Sequence, residues 1–214
     1  MVSTSVYGFE NEILQICALL HELGCNVWNS HLGTIKVNPR LSNLENCLKA
    51  VEDCDLFLGI IRTQCGTGYI DGKNITFEEM KKAIELKKPY WFLVHRDVVF
   101  ARQLFKKMEH PETVVFKDKK FFDPLCMEMY DYVIQSGTPV EARKGNWVQP
   151  FFAFGDMTTY LNTQFGDKGF INLLLGKEDD NGHEGACPHL RGHPLCRRGA
   201  GGDRAAELRR RGGS

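Results

Sequence analysis

Apolar positions along the first hundred residues follow two patterns, which predict alternating strands and helices. Over residues 9–23 the apolar side chains recur at intervals of three and four, the stripe of an amphipathic helix. Residues 55–61 (D-L-F-L-G-I-I) instead form a nearly continuous apolar run, typical of a strand buried on both faces. Further helices are predicted over 42–53 and 77–86, and further strands over 1–4, 25–28 and 90–94. This alternation indicates an α/β protein.

The alternation also predicts the topology of the sheet. Right-handed crossovers would stack the strands in parallel, in the flavodoxin-like order with the first strand between the second and the third. Past His95 the pattern is helical over 98–108, 124–134 and 156–165, and residues 170–175 could form a fifth strand. The predicted fold is therefore a flavodoxin-like three-layer sandwich with a parallel sheet and additional C-terminal helices.

Composition divides the chain into a globular part and a tail. The 214 residues, 43% of them hydrophobic, suffice for one core of ordinary size. Positive and negative residues balance over the whole chain, so it lacks the basic field by which proteins bind nucleic acid. Residues 181–214 nevertheless hold seven Arg, three acidic residues, eight Gly and no Lys. We expect one α/β domain over residues 1–176 and a disordered tail over 177–214.

Two further features concern location and metal binding. No stretch approaches eighteen consecutive apolar residues and the acidic start differs from a signal peptide, which predicts a soluble, cytoplasmic protein without a membrane partner. Most of the eight Cys lie in apolar-periodic segments, which predicts reduced thiols. The tail segment 187–196 (C-P-H-L-R-G-H-P-L-C) holds four soft metal ligands, but its spacing differs from that of paired zinc knuckles. No metal and no cofactor are predicted.

Candidate binding residues collect where the predicted strands end. In an open parallel sheet the ligand crevice lies at the carboxyl ends of the strands, here between the first and the third. The segments expected to converge there contribute Ser3, Thr4, Ser5 and Tyr7, then Gly66 and Thr67 of the glycine-rich loop, and Thr76 of the third helix. Small hydroxyls and glycines beside helix N-termini can bind phosphate or ribose. The same residue types also fill ordinary turns, so both interpretations stay open.

Three further side chains could join this crevice, each with a structural alternative. Glu79 falls at the margin of an apolar stripe, so its carboxylate could overhang the crevice. The sequence T-F-E-E from Thr76 is also a capping box that would occupy Glu79, and spacing alone favours this cap. His95 could donate to a phosphate or a leaving group, or be structural. Trp28 ends a predicted strand near the crevice and is a candidate wall for a base.

Four motifs, in this order, carry a resemblance to a known family. They are M-V-S-T-S-V-Y-G, E-N-C-L-K-A-V-E-D-C-D-L-F-L-G-I-I, N-I-T-F-E-E and G-N-W-V-Q-P-F. Over about residues 1–166 the chain resembles the bacterial family called domain of unknown function 4062. That family is considered similar to TIR and nucleoside deoxyribosyltransferase-like domains, which implies a flavodoxin-like fold and a crevice that binds a ribosyl group.

The resemblance also implies a catalytic role for Glu79. In the enzymatic relatives a Glu on the helix after the central strand acts at the ribose carbon during N-glycosidic cleavage, and this role maps to Glu79. The implied activity is that of an NAD glycohydrolase or a nucleoside deoxyribosyltransferase-like enzyme in bacterial signalling or defence, with NAD or a nucleoside as substrate. The alternatives are a non-catalytic module that binds a nucleotide or a partner protein, and a damaged relative with neither activity. Self-association is expected, because TIR-like sites are often completed across subunits.

Overall fold

The computed structural model describes residues 1–66, 68–118 and 120–177. Two short 3-10 turns, Pro111–Thr113 and Val140–Ala142, accompany the longer elements. In chain order, these longer elements are β1 (Val2–Thr4), α1 (Glu10–Glu22), α2 (Asn43–Asp53), β2 (Phe57–Ile61), β3 (Tyr69–Ile70), β4 (Lys73–Asn74), α3 (Ile75–Glu85), β5 (Tyr90–His95), α4 (Arg96–Phe105), α5 (Leu125–Val133), β6 (Val148–Phe151), α6 (Phe154–Phe165) and α7 (Lys168–Leu174).

The main sheet is parallel and lies between two layers of helices. Its strand order is β1-β2-β5-β6, while β3 and β4 form a separate antiparallel pair. On one face the core contains residues of α1 and α6, and on the other it contains residues of α2, α3, α4 and α5. The flavodoxin-like three-layer α/β fold predicted from the alternating pattern is confirmed.

The central strand β2 explains why the sheet is covered on both sides. Its side chains alternate between two cores: Leu58 and Ile60 pack toward α1 and α6, whereas Phe57 and Ile61 pack on the opposite face. All four side chains are at most 2% exposed. Burying a side chain of this size is worth about 1.5–3 kcal/mol, so β2 stabilises the sheet only if helices cover both faces.

The predicted strand at residues 25–28 is wrong, and β1 is an edge strand. This segment is irregular, although the Val2 amide donates to the Trp28 carbonyl oxygen at 2.8 Å. The side-chain amide of Asn29 donates to the Val2 carbonyl oxygen at 3.1 Å. Asn29 therefore occupies an acceptor that a neighbouring strand would use, and the ladder does not extend past β1.

Two differences concern the C-terminal part of the described chain. Residues 170–175, the alternative fifth strand, fall largely within helix α7, whose start is capped by the Asp167 carboxylate accepting from the Phe170 amide at 3.0 Å. The strand beside β5 is instead β6, which the sequence pattern did not reveal. Pro150 lies within β6 and cannot donate to a ladder, but an edge strand tolerates it because one side has no partner.

The expectation of reduced cysteines is wrong for one pair. Cys65, in the loop after β2, and Cys126, on α5, form a disulfide with their Cα atoms 5.9 Å apart. They are 61 residues apart in sequence, and the packing of α5 against β2 brings them together. The other described cysteines are free thiols: Cys17, Cys25, Cys47 and Cys54.

Apart from Lys177, the predicted tail over residues 177–214 lies outside the described residues. Its separation from the α/β domain therefore stays a prediction. Among the described helices, none has the length and apolar character required to cross a membrane.

Because Phe92 of β5 lies close to Gly59 of β2, the position leaves no room for a larger side chain. A Cβ atom added there would lie 2.5 Å from Cε1 of Phe92, which is fully buried. We expect Gly59→Ala to lower the free energy of unfolding by about 1–3 kcal/mol in urea denaturation, because the core is overpacked. Gly155→Ala is the control, since its added methyl meets no atom within 4 Å and favours helix α6 by up to about 1 kcal/mol. Similar losses in both variants would contradict this account.

Candidate active site

A pocket of about 450 Å³ lies at the carboxyl ends of β1 and β2. Its volume is in the range of small-molecule sites, roughly 300–1,000 Å³. The walls come from β1 and the segment after it, residues 30–37, the loop after β2, and the first turns of α2 and α3. The structure brings together most of the residues predicted to meet here: Ser3, Thr4, Ser5, Tyr7, Gly66, Thr76 and Glu79.

Glu79 is a buried carboxylate in the wall of this pocket. It is 4% exposed, and its Oε2 accepts a hydrogen bond from the Ser3 hydroxyl. The Cys47 thiol interacts with the same carboxyl group from α2. Burial raises the pKa of Glu79, and the donors Ser3 and Cys47 oppose this rise because they stabilise the charged form. The carboxyl group is therefore held at the point where three elements meet.

Cys47 contributes to the site as a neutral donor. Burial, with a smaller contribution from the Glu79 charge, raises the pKa of the Cys47 thiol to about 12. The thiol therefore stays protonated at neutral pH and can donate a hydrogen bond to the Glu79 carboxylate.

The start of α3 explains why Glu79 faces inward rather than capping the helix. The N-cap residue is Asn74, whose side-chain oxygen accepts from the Phe77 amide at 3.0 Å. The helix thus begins before Thr76, and the capping box expected between Thr76 and Glu79 is wrong. Glu79 instead lies on the buried face of α3 together with Met80 and Ala83.

Hydrogen bonds fix the segment after β1 against the loop after β2. The Ser5 hydroxyl donates to the Gln64 carbonyl oxygen at 2.5 Å. Gly66 has a φ of +75°, and a Cβ there would lie 3.3 Å from the Cβ of Ser5, so glycine suits this close approach. The pocket wall is therefore built from two segments that are locked to each other.

Arg62 supports the same wall from behind. Its guanidinium donates to the carbonyl oxygens of Ser5 at 3.1 Å and of Tyr7 at 3.0 Å, and to that of Gly8 at 3.3 Å. It also stacks over the Phe9 ring at 4.3 Å. These contacts shape the backbone around Tyr7, whose exposed ring lines the pocket.

Two predicted site residues lie elsewhere, and one is not described. Trp28 lines a different cavity, at the amino ends of the strands, because residues 25–28 do not continue the sheet. His95 does not line the pocket; it caps α4 and its ring packs against Phe151 and Phe152. Thr67 lies outside the described residues.

Sequence reasoning missed the contribution of α2. Asn46 is 4% exposed, and its side chain accepts from the Asn38 amide at 2.7 Å and donates to the carbonyl oxygens of Asn38 and Leu41. It therefore holds the loop before α2 over the pocket, while Cys47 contacts Glu79. A polar residue beside Cys47 on the apolar stripe of α2 was the available signal.

No cluster of three or more His, Cys, Asp or Glu suited to a metal ion occurs among the residues that the structure describes. The Cys- and His-containing segment at 187–196 lies outside them. The described residues that line the pocket include hydroxyl and amide side chains, the Cys47 thiol and the Glu79 carboxyl group.

Fold and site together define an α/β protein with a buried carboxylate in a hydroxyl-lined pocket. Residues 1–139 match the family described as Domain of unknown function (DUF4062), and the chain belongs to that family. The match ends before the motif at 145–151 that contributed to the expected resemblance over residues 1–166. No curated protein and no solved structure matches the chain.

The raised pKa of Glu79 predicts a pH-dependent cost in stability. The unfolded carboxyl titrates near its ordinary value of 4.5, so between that pH and the higher folded-state pKa the folded protein binds more protons. Stability contributed by this group therefore falls as the pH rises through that window. We expect Glu79→Gln to raise the melting temperature most at pH 8, with the gain shrinking toward pH 4.5; each kcal/mol corresponds to about 2–4 °C. A gain independent of pH would contradict the assignment.

Proposed function

We propose that this protein cleaves the N-glycosidic bond of NAD or a nucleoside in the pocket around Glu79, as a TIR-like or nucleoside deoxyribosyltransferase-like enzyme of bacterial signalling or defence. The observation that carries the proposal is a buried carboxyl group in a hydroxyl-lined pocket at the carboxyl edge of a parallel sheet. Ligands of α/β proteins bind at this edge. The resemblance of the sequence motifs to the family with ribosyl-binding relatives supports the choice of substrate class.

The residues suit the charge that develops during this reaction. As the bond between the ribose carbon and the base nitrogen lengthens, positive charge appears on the ribosyl group. An ionised Glu79 would stabilise this charge, either as a nucleophile or through its electrostatic field. Ser3 holds the carboxylate in place, while Thr4 and Thr76 line the pocket with hydroxyls that can bind the sugar. Water or another acceptor completes the transfer.

One observation favours a second function, binding without turnover. Burial raises the pKa of Glu79, and a protonated carboxyl group can bind a hydroxyl of a ligand but stabilises a ribosyl cation poorly. A module that only binds a nucleotide or a partner protein needs such a hydrogen bond and does not need an ionised carboxylate. The two functions differ in whether a ligand leaves the pocket unchanged.

Release of free base separates the two functions. The full chain is incubated with NAD and with a set of nucleosides, and nicotinamide or free base is measured by chromatography. We expect Glu79→Gln to lower the rate at least about 100-fold, because the charge opposite the ribosyl cation is lost. Glu78→Gln is the matched control, since Glu78 pairs with Lys81 at 2.8 Å and does not line the pocket. Ligand binding without release by the parent protein would favour the binding module.

The pH dependence of cleavage tests the state in which Glu79 acts. Because the ionised form is required, we expect the rate to rise with pH through a pKa above the ordinary 4.5. Ser3→Ala removes a donor to the carboxylate, so the acid limb of the profile should move to higher pH. Ser5→Ala is the control, because the Ser5 hydroxyl donates to Gln64 rather than to Glu79. An unmoved acid limb in Ser3→Ala would contradict this role of the hydrogen bond.

A further inference from the structure

The pocket that holds Glu79 is poor in positive charge. Its described lining consists of hydroxyl, amide, thiol and small apolar side chains, and Glu79 is the one acidic residue among them. Neither Lys, Arg nor His occurs among these described lining residues. Sites for phosphate groups ordinarily place such cations, or free backbone amides, against the phosphate oxygens. The lining therefore offers groups that recognise a sugar and a base, without cationic partners for phosphate.

Arg62, which follows β2 at this edge of the sheet, does not supply a cation for a phosphate group in the pocket. Its Nη1 donates to two carbonyl oxygens of the segment after β1, those of Ser5 and Tyr7, and the guanidinium stacks over Phe9. To reach a phosphate, the side chain would have to give up the bonds that shape the pocket wall. The guanidinium thus binds backbone carbonyl oxygens of the pocket wall and is not available to a ligand.

At the two helix N-termini beside the pocket, part of the backbone amides already have partners within the protein. At α2, the Ser42 hydroxyl accepts from the Glu45 amide, and the Glu45 carboxylate accepts from the Ser42 amide at 2.7 Å. At α3, the Ile75 amide donates to the Gly68 carbonyl oxygen and the Phe77 amide donates to Asn74. The Glu45 carboxylate further offsets the positive end of the α2 dipole.

Resting on the proposed function, we infer that the substrate is a nucleoside without phosphate groups, and that the pocket discriminates against nucleotides and dinucleotides. A 5′-phosphate would enter a space that holds a carboxyl group and no cation among its described lining residues, and like charges repel each other. A nucleoside with a cationic base is the best match, because Glu79 attracts both the substrate and the ribosyl cation formed from it.

Nicotinamide riboside is a suitable probe of this inference. Hydrolysis breaks the bond between C1′ and the pyridinium nitrogen, whose electron pair stays on the nitrogen and gives neutral nicotinamide. The oxygen of water bonds to C1′, and one proton of that water is released to the solvent. The same bond and leaving group occur in nicotinamide mononucleotide and in NAD, so the three compounds differ at the 5′ end alone.

The test compares kcat/KM for nicotinamide riboside, nicotinamide mononucleotide and NAD with the full chain, beside the pair deoxyadenosine and its 5′-monophosphate. We expect the phosphate-free member of each series to be cleaved at least about 10-fold more efficiently. Cleavage of NAD or of either monophosphate with equal or greater efficiency would overturn the inference while leaving the proposed function intact.

Absence of cleavage throughout would instead refute the proposed function, and calorimetric titration then decides the inference. Tighter binding of the nucleoside than of its monophosphate would support discrimination by charge. Equal binding, tighter binding of the monophosphate, or no binding of either would overturn it.

A lysine placed at the rim provides an independent readout. Val37 lines the pocket and is 63% exposed, so Val37→Lys adds at the rim a cation that can pair with a phosphate group. We expect the ratio of monophosphate to nucleoside efficiency, or of their affinities, to rise at least about 10-fold. Val115→Lys, at an exposed position outside the pocket lining, is the matched control and should leave that ratio unchanged. The same ratio in both variants would contradict the inference.

Discussion

The parallel pairing of β1 with β2 is the constraint on which the site depends. β1 has three residues, and its register places Ser3 beside Gly59 and Thr4 beside Ile60. Because paired parallel strands end at the same edge, the segment after β1 reaches the loop after β2, where the Ser5 hydroxyl bonds to Gln64. Burial of β2 on both faces fixes this edge in turn. The pocket position therefore follows from the sheet, while β1, α2 and α3 supply the side chains of Ser3, Cys47 and Glu79.

Burial of the Glu79 carboxyl group lowers the stability of the folded protein. The buried face of α3 would pack most favourably with an apolar side chain, yet it presents a carboxyl group that loses its hydration. The Ser3 hydroxyl and the Cys47 thiol replace part of the lost water, and both come from elements that are distant in sequence. A group that costs stability and is held by dedicated donors is characteristic of functional sites, where perturbed pKa values concentrate.

The sequence pattern correctly predicted those features that depend on residues close together in the chain. The apolar run at 55–61 became β2, and the capping box at Ser42 is present because its partner Glu45 is three residues away. The cap expected for Glu79 was wrong because α3 begins with Asn74 as its N-cap, and the partner that Glu79 has instead, Ser3, is 76 residues away. The Cys65–Cys126 pair was missed for the same reason. The edge strand β6 was not predicted because Pro150 interrupts the apolar pattern that is typical of a strand.

The charge of the pocket follows from how Arg62 is used. This residue directly follows the central strand β2, at the edge of the sheet where the pocket lies, and a guanidinium there could have paired with the carboxylate or with a phosphate. It instead satisfies backbone carbonyl oxygens of the segment after β1, which an irregular segment at a sheet edge leaves without ladder partners. With Arg62 bound to the wall in this way, no Lys, Arg or His among the described lining residues pairs with Glu79. In the proposed function, recognition would then depend on hydroxyl and amide hydrogen bonds, whether or not the ligand reacts.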